Sequence, residues 1–402
     1  MTPSSLTVDP DCPAPTSAGE RPGTREAQPR GLVALRRSID TIDRATWDGL
    51  AARNPWTTPF SSWAYHRAWW DAYASTAHDE SVVVVDPDRP DRPVAIVPLM
   101  HRHAVEPDDD ATRSTIRHGH DRRLTPVAPR ARTIYFGASY HADYATILAD
   151  VAAFPDIARA VVGLLSQPAP ASGNAAPWDV VDLRRLRCGD PAVDALEAAF
   201  TERAGETGWT VGVEREDVCP VVTLPEGADL DAYLATLPKK ARHEIRRKVR
   251  RAEAAGELRL EDSADPLVDL DAFIDLHQKR WGELGLFPPT PGGDASRAFA
   301  RRLFELVEPD GLRLAFLTVG GRRIAAGIHF ETDDGYLYYN AGIDPDARDL
   351  SPGVVMIERY VRRAMAAGKR RLDFLRGDEP YKYEWGAVDE PIQRVLVRCP
   401  GQ

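Results

Sequence analysis

Three apolar segments joined by two turn sequences constrain the fold of this chain most strongly. The segments are 314–319, 324–331 and 336–342, and the turns between them are Gly320-Gly321 and Asp333-Asp334-Gly335. Each segment has the length of a strand, and glycine and aspartate are residues that tight turns prefer. The sequence therefore predicts three consecutive antiparallel strands in the second half of the chain.

The same order of elements is predicted earlier in the chain. A hairpin over 82–100 is followed by an aromatic strand over 133–137, and then come a helix over 155–165 and a strand over 178–183. The second half continues in the same way, and its elements are a helix over 352–367 and a strand over 371–375.

The ends of the two last strands also match. Asp182-Leu183-Arg184-Arg185 and Asp373-Phe374-Leu375-Arg376 both have the pattern Asp-x-x-Arg. This repetition favours tandem duplication of one α/β unit, and two α/β domains that share a generic order are the alternative. We expect an α/β (α+β) fold with units over 31–210 and 211–402, each a mixed, mostly antiparallel twisted sheet flanked by helices. Residues 1–30, rich in Pro, Thr, Ser and Gly, are expected to form a disordered tail.

The charge balance excludes a general nucleic-acid binder. The 402 residues carry a formal net charge of −10, whereas such proteins are basic over their binding domain. We therefore expect no DNA partner. No apolar run is long enough to span a membrane, and the first 30 residues lack the apolar core of a signal peptide. These features predict a cytoplasmic protein.

The histidines do not predict a metal site. His101, His103, His118 and His120 flank a polar stretch, and periodicity fixes no third or fourth ligand beside them. A flexible insertion is the better interpretation. The cysteines show no CxxC spacing, so we expect no metal cofactor.

A strongly basic helix is predicted near the junction of the two units, over 239–255. Ala241, Ile245 and Val249 recur at helical spacing, whereas the other faces are almost wholly basic. A solvated helix face is one interpretation. The other is a surface that faces an anion, with Arg246 as a candidate substrate contact.

The segment 348–353 is typical of a helix start. Ser351 suits the N-cap, Pro352 suits the first helical position, and Gly353 keeps a side chain away from an incoming ligand. The free N–H groups and the dipole of such a helix end favour a pyrophosphate group. Plain capping without a ligand is the alternative.

The end of the strand predicted over 371–375 and the turn after it carry an unusual set of side chains. The sequence runs Arg371-Leu372-Asp373-Phe374-Leu375-Arg376-Gly377-Asp378-Glu379-Pro380-Tyr381-Lys382-Tyr383-Glu384-Trp385. A short apolar strand that ends in charged and aromatic residues indicates chemistry at the strand end rather than packing.

Together, the three strands, the pattern Arg348-x-x-Ser351-x-Gly353 and this ending resemble the GNAT acyltransferases. The closer resemblance is to the BioF2-like, or cellulose-biosynthesis-associated (CelD/BcsL-type), branch of tandem GNAT proteins, which is related to the FemAB transferases. It implies tandem GNAT-like domains, of which the first is degenerate because it matches only in architecture. Ser351 stands where the family usually has glycine.

The resemblance implies that acetyl-CoA or another acyl-CoA is the co-substrate, held by the loop and by the strand before it. The implied contacts are Arg348, Ser351, Gly353, Asn340, Ala341 and Gly342. In the family's geometry the strands over 336–342 and 371–375 splay apart, and the thioester lies between them.

The resemblance also implies catalytic candidates. Tyr381 is the candidate acid for the leaving thiolate, and ring packing is its alternative role. Lys382 and Asp373 are expected on the acceptor side. Glu331 and His329 are candidate general bases, although a buried interior histidine is the alternative. The further candidates for substrate binding are Arg280, Trp281, Arg376, Gly377, Trp385 and Arg246; a structural ion pair between Asp373 and Arg376, and a core position for Trp385, are open alternatives.

These residues predict an acyl-CoA-dependent N- or O-acyltransferase, foremost an acetyltransferase. Its acceptor is expected to be a small molecule or a sugar or peptide precursor, from the cell envelope, a polysaccharide or secondary metabolism. One alternative is a FemAB-like transferase that uses aminoacyl-tRNA, with the basic helix on the tRNA phosphates. The other is a non-catalytic pseudo-acyltransferase scaffold.

Overall fold

A computed structural model describes residues 31–102, 124–128, 130–167 and 177–402. The expected tail over 1–30 and most of the histidine-containing insertion therefore lie outside the described residues. The strands are β1 Val33–Arg36, β2 Ala77–Asp79, β3 Val82–Asp86, β4 Arg89–Val97, β5 Leu99–Arg102, β6 Thr133–Phe136, β7 Leu148–Ala149, β8 Val180–Arg187, β9 Thr210–Thr223, β10 Leu258–Asp262, β11 Leu312–Val319, β12 Arg322–Glu331, β13 Gly335–Ile343, β14 Arg371–Asp373 and β15 Val388–Arg398.

Helices cover both faces of the sheets. They are α1 Arg44–Ala51, α2 Trp63–Tyr73, α3 Phe154–Leu165, α4 Pro191–Thr207, α5 Leu230–Thr236, α6 Lys239–Ala255, α7 Pro266–Trp281, α8 Pro291–Leu306, α9 Pro352–Ala366 and α10 Pro380–Tyr383. In the described part of the chain, no helix is both long enough and apolar enough to cross a bilayer.

The predicted three-strand segment of the second half is confirmed. β11 pairs antiparallel with β12, and β12 pairs antiparallel with β13. Helix α9 then crosses over, and β14 pairs parallel with β13. Gly320 and Gly321 have φ values of 55° and 80° in the first turn, a conformation that glycine adopts without strain.

The first half has the same strand order with one interruption. β3 and β4 form the predicted hairpin, β5 pairs antiparallel with β6, and β6 pairs parallel with β8. Pro98 separates β4 from β5, so that β4 belongs to a four-stranded sheet and β5 to an eleven-stranded one. Proline has no N–H group to donate to a ladder, which explains the break at this point.

The larger sheet joins the two halves, and its order is β10-β11-β12-β13-β14-β9-β15-β8-β6-β5-β2. β9, which begins at the expected boundary between the units, pairs with β14, and β15 at the chain's end pairs with β8 of the first half. β9 and β15 pair with each other from Val388↔Val221 to Arg398↔Thr210. One mixed, mostly antiparallel sheet therefore runs through both halves, which confirms the predicted fold class.

The largest hydrophobic cluster also joins the halves. It packs Tyr65 and Trp69 of α2 together with Phe299 and Leu303 of α8. The basic helix α6 lies elsewhere: it buries Ile245, Val249 and Ala252 in a cluster formed by strands and helices of the second half.

Candidate active site

Strand β13 extends well beyond the short strand β14 that pairs with it. Their parallel register includes only Gly335↔Arg371, Tyr336↔Leu372 and Leu337↔Asp373, although β13 continues to Ile343. The rings of Tyr338 on β13 and Phe374, just after β14, meet edge to face, with centroids 6.3 Å apart. From Tyr338 to Ile343, β13 has no described strand paired on its β14 side, and we call this edge the wedge.

Helix α7 lies directly on the far end of β13. A Cβ atom on Gly342 would be 2.5 Å from the backbone nitrogen of His277, so only glycine permits this approach. The last turn of α7 carries Arg280 and Trp281, which are both exposed. The Arg280 guanidinium lies 4.5 Å from the centroid of the Trp281 ring.

Helix α9 begins at Pro352, as predicted, and leaves donors free at its start. Ser351 adopts a left-handed conformation (φ 52°, ψ 53°), and its side chain does not cap the helix. The N–H groups of Gly353 and Val354 donate no hydrogen bond within the described part of the chain, since the first backbone bond of the helix comes from Val355 to Ser351. This end can accept an anion.

The surroundings of this helix start are partly apolar and partly basic. Ala341, Ile343 and Val354 are partly buried beside it. Arg348 is exposed and forms no ion pair with the described residues. Arg251 of α6 donates a hydrogen bond of 2.8 Å to the carbonyl oxygen of Asp349, which fixes the loop.

Tyr381 lies on α10 next to the wedge. Its ring meets Phe374 edge to face, with centroids 6.0 Å apart. Burial raises the pKa of Tyr381, and the charge of Glu379 raises it further. Its hydroxyl has no hydrogen-bond partner among the described residues. A protonated hydroxyl with no protein partner is suited to donate to a ligand.

Lys382 is placed differently from the expectation. Its side chain is buried, and its ammonium group donates to the carbonyl oxygens of Leu375, Arg376 and Gly377 at 3.1, 2.9 and 2.8 Å. It also lies 2.9 Å from the Glu379 carboxylate. The ammonium is therefore engaged in holding the turn after β14, where Gly377 has a φ of 106°, and does not face an acceptor.

Asp373 and Arg376 do not pair with each other. Each contacts the first half instead: Tyr144 donates to the Asp373 carboxylate at 2.8 Å, and Arg376 donates to Asp143 at 3.1 Å. Burial raises the pKa of Asp373 to about 6, against the effect of hydrogen bonds from Tyr144 and the Leu375 N–H. Asp373 and Arg376 thus attach the second half to the loop over 137–147. No motif in that loop pointed to Asp143 or Tyr144.

The two candidate general bases lie outside the wedge. His329 is buried, and its Nδ1 atom is 2.9 Å from the Tyr360 hydroxyl. Burial lowers its pKa to about 3, so it is a neutral interior histidine. Glu331 lies opposite Tyr336, where β13 is paired with β14, and forms ion pairs with Arg313 and Lys369 at 3.2 Å each. Neither residue is placed to take a proton from an acceptor.

The remaining candidates divide between the wedge and other places. Asn340 and Ala341 lie on the part of β13 beyond its pairs with β14, and the side-chain oxygen of Asn340 accepts from the Ala341 N–H at 3.0 Å. Trp385 is buried, and its carbonyl accepts a 2.6 Å hydrogen bond from Tyr233, so it closes the core. Arg246 pairs with Asp231 of α5 at 2.7 Å.

Within the described ranges, no group of three or more His, Cys, Asp or Glu side chains is placed to hold a metal ion.

Residues 239–383, which include α6, the three strands, α9 and α10, match the family model described as "Acetyltransferase (GNAT) domain". A search of curated proteins found no match to the sequence.

Solved structures share the fold over most of the chain. FemX matches with a TM-score of 0.53 and 11% identity, over 90% of this chain and 96% of that one. L-PGS from Bacillus licheniformis matches with a TM-score of 0.51 and 11% identity, over 90% and 93%. A tandem GNAT protein from the clavulanic acid biosynthesis pathway matches with a TM-score of 0.44 and 11% identity, over 92% and 99%.

At these identities FemX and L-PGS show the fold alone, and the tandem GNAT protein, with its TM-score below 0.5, adds nothing to that. The family match supports a GNAT-type acetyltransferase domain over residues 239–383.

Proposed function

We propose that this protein transfers an acyl group from a CoA thioester to an amine or hydroxyl acceptor. One observation carries the proposal: α9 begins with the unpaired N–H groups of Gly353 and Val354 on a domain whose β13 continues to Ile343, beyond its last pair with β14 at Leu337↔Asp373. A helix start suits the pyrophosphate, and the wedge suits a thioester that lies between two strands. The apolar side chains of Ala341 and Ile343 suit the arm that joins them.

The residues of the wedge fit the chemistry of such a transfer. Acyl transfer requires a polarised carbonyl, a route for the acceptor's proton and an acid for the leaving thiolate. Backbone N–H groups of β13 beyond its pairs with β14 supply donors for the carbonyl. Tyr381 supplies the acid, because its raised pKa keeps its hydroxyl protonated at neutral pH. Arg280, on the exposed edge, supplies positive charge for the acceptor side.

Isothermal calorimetry with free CoA, acetyl-CoA and longer acyl-CoAs tests the proposal. We expect free CoA and acetyl-CoA to bind, because the pyrophosphate contacts are the same in both. If the folded protein bound neither CoA nor any acyl-CoA, the proposal would be wrong.

The basic helix favours aminoacyl-tRNA as the second candidate donor. Lys239, Lys240 and Arg250 are exposed and pair with no acidic side chain in the described part of the chain. A tRNA-dependent enzyme should bind tRNA with a steep salt dependence, and the combined substitution Lys239→Gln, Lys240→Gln and Arg250→Gln should reduce that slope. Fluorescence anisotropy with total tRNA at two salt concentrations distinguishes the candidates. Under our proposal the tRNA affinity does not exceed non-specific binding.

A further inference from the structure

A bulge interrupts β13 just after its last pair with β14. In the register with β12, Tyr338 and Asn340 oppose two consecutive residues, so Tyr339 between them opposes none. One extra residue bends a strand and redirects its side chain, and such bulges are frequent next to active sites. The bulge at Tyr339 therefore determines where the backbone of the wedge lies, since the pairs of β13 with β14 end at Leu337.

Two groups of the first half hold the hydroxyl of Tyr339. It donates to the carbonyl oxygen of His141 at 3.0 Å and lies 3.2 Å from the hydroxyl of Tyr65 on α2. Burial raises the pKa of Tyr65 and of Tyr339, so both hydroxyls keep their protons. Because the proton of Tyr339 is directed to His141, Tyr65 is the donor to Tyr339. One chain of hydrogen bonds thus runs from α2 through the bulge to the loop after β6.

The segment 141–144 of that loop, which we call the brace, also contacts the end of β14. Its first residue accepts from the bulge. Its third residue, Asp143, accepts a hydrogen bond of 3.1 Å from Arg376. Its last residue, Tyr144, donates one of 2.8 Å to Asp373. The brace therefore connects the bulge on β13 with β14 and the turn after it, and fixes the position of one relative to the other.

The two arginines of the repeated Asp-x-x-Arg pattern both bind the brace. Arg376 binds it from the second half, and Arg185 of the first half donates to the carbonyl oxygen of Ala142 at 3.3 Å. The ring of His141 stacks on Phe299 of α8, with centroids 4.6 Å apart. Each residue of the brace thus has a fixed contact, so the segment is suited to hold a strand in one position.

We propose that the brace and Tyr65 position the bulge of β13, so that the first half prepares the acyl-CoA site of the second half. This rests on the proposed function, in which N–H groups of β13 beyond its pairs with β14 donate to the thioester carbonyl. Those N–H groups follow the bulge directly, so a shift of Tyr339 moves them relative to the carbonyl, and donors stabilise charge only where they are held in place. Tyr339 and Tyr65 are then positioning residues, which act through the backbone and not by touching the ligand.

Carbon-13 NMR of acetyl-CoA labelled at its carbonyl carbon tests this proposal without knowledge of the acceptor. Hydrogen bonds to the thioester oxygen polarise the carbonyl, so its resonance should move downfield when acetyl-CoA binds to the wild type. Tyr339→Phe keeps the ring contacts with Phe60 and Phe330 and should lose roughly half of that shift or more. Calorimetry should show an affinity for acetyl-CoA about twofold to tenfold lower and an unchanged affinity for free CoA, which has no carbonyl.

Two further tyrosines provide matched variants. Tyr65→Phe removes one of the two hydrogen bonds at the Tyr339 hydroxyl, so it should lose a smaller part of the carbonyl shift, and it repeats the test if Tyr339→Phe does not fold. Tyr233→Phe removes a buried hydrogen bond of 2.6 Å to the carbonyl oxygen of Trp385, within the second half. Its cost in stability should be similar, but it should leave the carbonyl shift unchanged.

The outcomes separate this proposal from the proposed function. Loss of the carbonyl shift in Tyr339→Phe with CoA binding retained supports the brace. A full shift in folded Tyr339→Phe, or an equal loss in Tyr233→Phe, would overturn it. Acetyl-CoA that binds to the wild type without a carbonyl shift would also overturn it, and the CoA site would stand. If the wild type bound neither CoA nor acetyl-CoA, the proposed function would be wrong and the brace proposal with it.

Discussion

Tyr144 donates a hydrogen bond of 2.8 Å to Asp373, and this contact joins the two halves of the protein. The two residues are 229 positions apart in the chain. Both side chains are buried, so the carboxylate is in a medium that disfavours its charge. The contact makes the junction dependent on the protonation state of Asp373.

The first prediction follows from the pKa of Asp373, which burial raises from 3.8 to about 6. The stability that this group contributes is complete below pH 4 and is lost as the pH rises through 6. Asp373→Asn stays uncharged, so it should match the wild type near pH 4 and exceed it by about 3 kcal/mol at pH 7.5.

Urea unfolding at both pH values measures this difference. Asp271→Asn, at an exposed position, should change the stability little at either pH. A variant Asp373→Asn that is no more stable than the wild type at pH 7.5, but has lost turnover, would instead indicate that the carboxylate acts on the acceptor.

The second prediction concerns the start of α9. An aspartate at position 353 suits a helix N-terminus but repels a bound pyrophosphate, whereas asparagine has the same size without the charge. We expect Gly353→Asp to weaken CoA binding at least tenfold relative to Gly353→Asn. Because a Cβ at this position meets Ile343 Cδ1 at 3.1 Å, the asparagine variant itself should bind somewhat more weakly than the wild type.

Calorimetry of the two variants at equal thermal stability measures the effect of charge alone. Equal affinities for CoA would exclude this helix start from the binding site.

Local patterns in the sequence predicted those elements whose contacts are close in the chain. The strands β11, β12 and β13 and the start of α9 were predicted within a few residues, because turn residues and alternation mark them directly. The expectation that β13 and β14 splay apart came from the resemblance to GNAT enzymes rather than from periodicity, and it stays a prediction.

Contacts between distant segments had no such signal. Asp143 and Arg376 are 233 positions apart, and nothing local identifies either as the partner of the other. The sequence marked Lys382 as unusual, since the chain uses few lysines. Its actual partners are three converging backbone carbonyl oxygens, which only the folded turn creates.

The third prediction concerns Lys382. Lys382→Met leaves three carbonyl oxygens and the Glu379 carboxylate without their donor, and Lys382→Arg has a planar group that cannot reach all of them. We expect each variant to lose roughly 2–4 kcal/mol of stability.

Urea midpoints measure this loss, and Lys240→Met, at an exposed position, is the control. A Lys382→Met variant with wild-type stability and impaired use of an acceptor would restore the acceptor role that the sequence suggested.

The fourth prediction concerns Tyr381 as the acid for the leaving thiolate. Removal of its hydroxyl in Tyr381→Phe keeps the ring contact with Phe374, so the fold and the affinity for CoA should be retained. We expect kcat to fall by roughly tenfold to a thousandfold, in the range typical of a general acid. Since burial raises the pKa of Tyr381, the wild type should show no loss of rate from this group between pH 7 and 9.

Tyr383→Phe is the matched control, because Tyr383 lies two positions away and its hydroxyl donates to Asp389 at 2.6 Å. Its loss should affect the local structure more than the rate. Equal kcat in Tyr381→Phe and the wild type would mean that solvent, not Tyr381, protonates the departing thiolate. The role of Tyr381 would then be limited to packing beside the wedge. A fall in kcat in both variants would mean that the turn, not the Tyr381 hydroxyl, determines the rate.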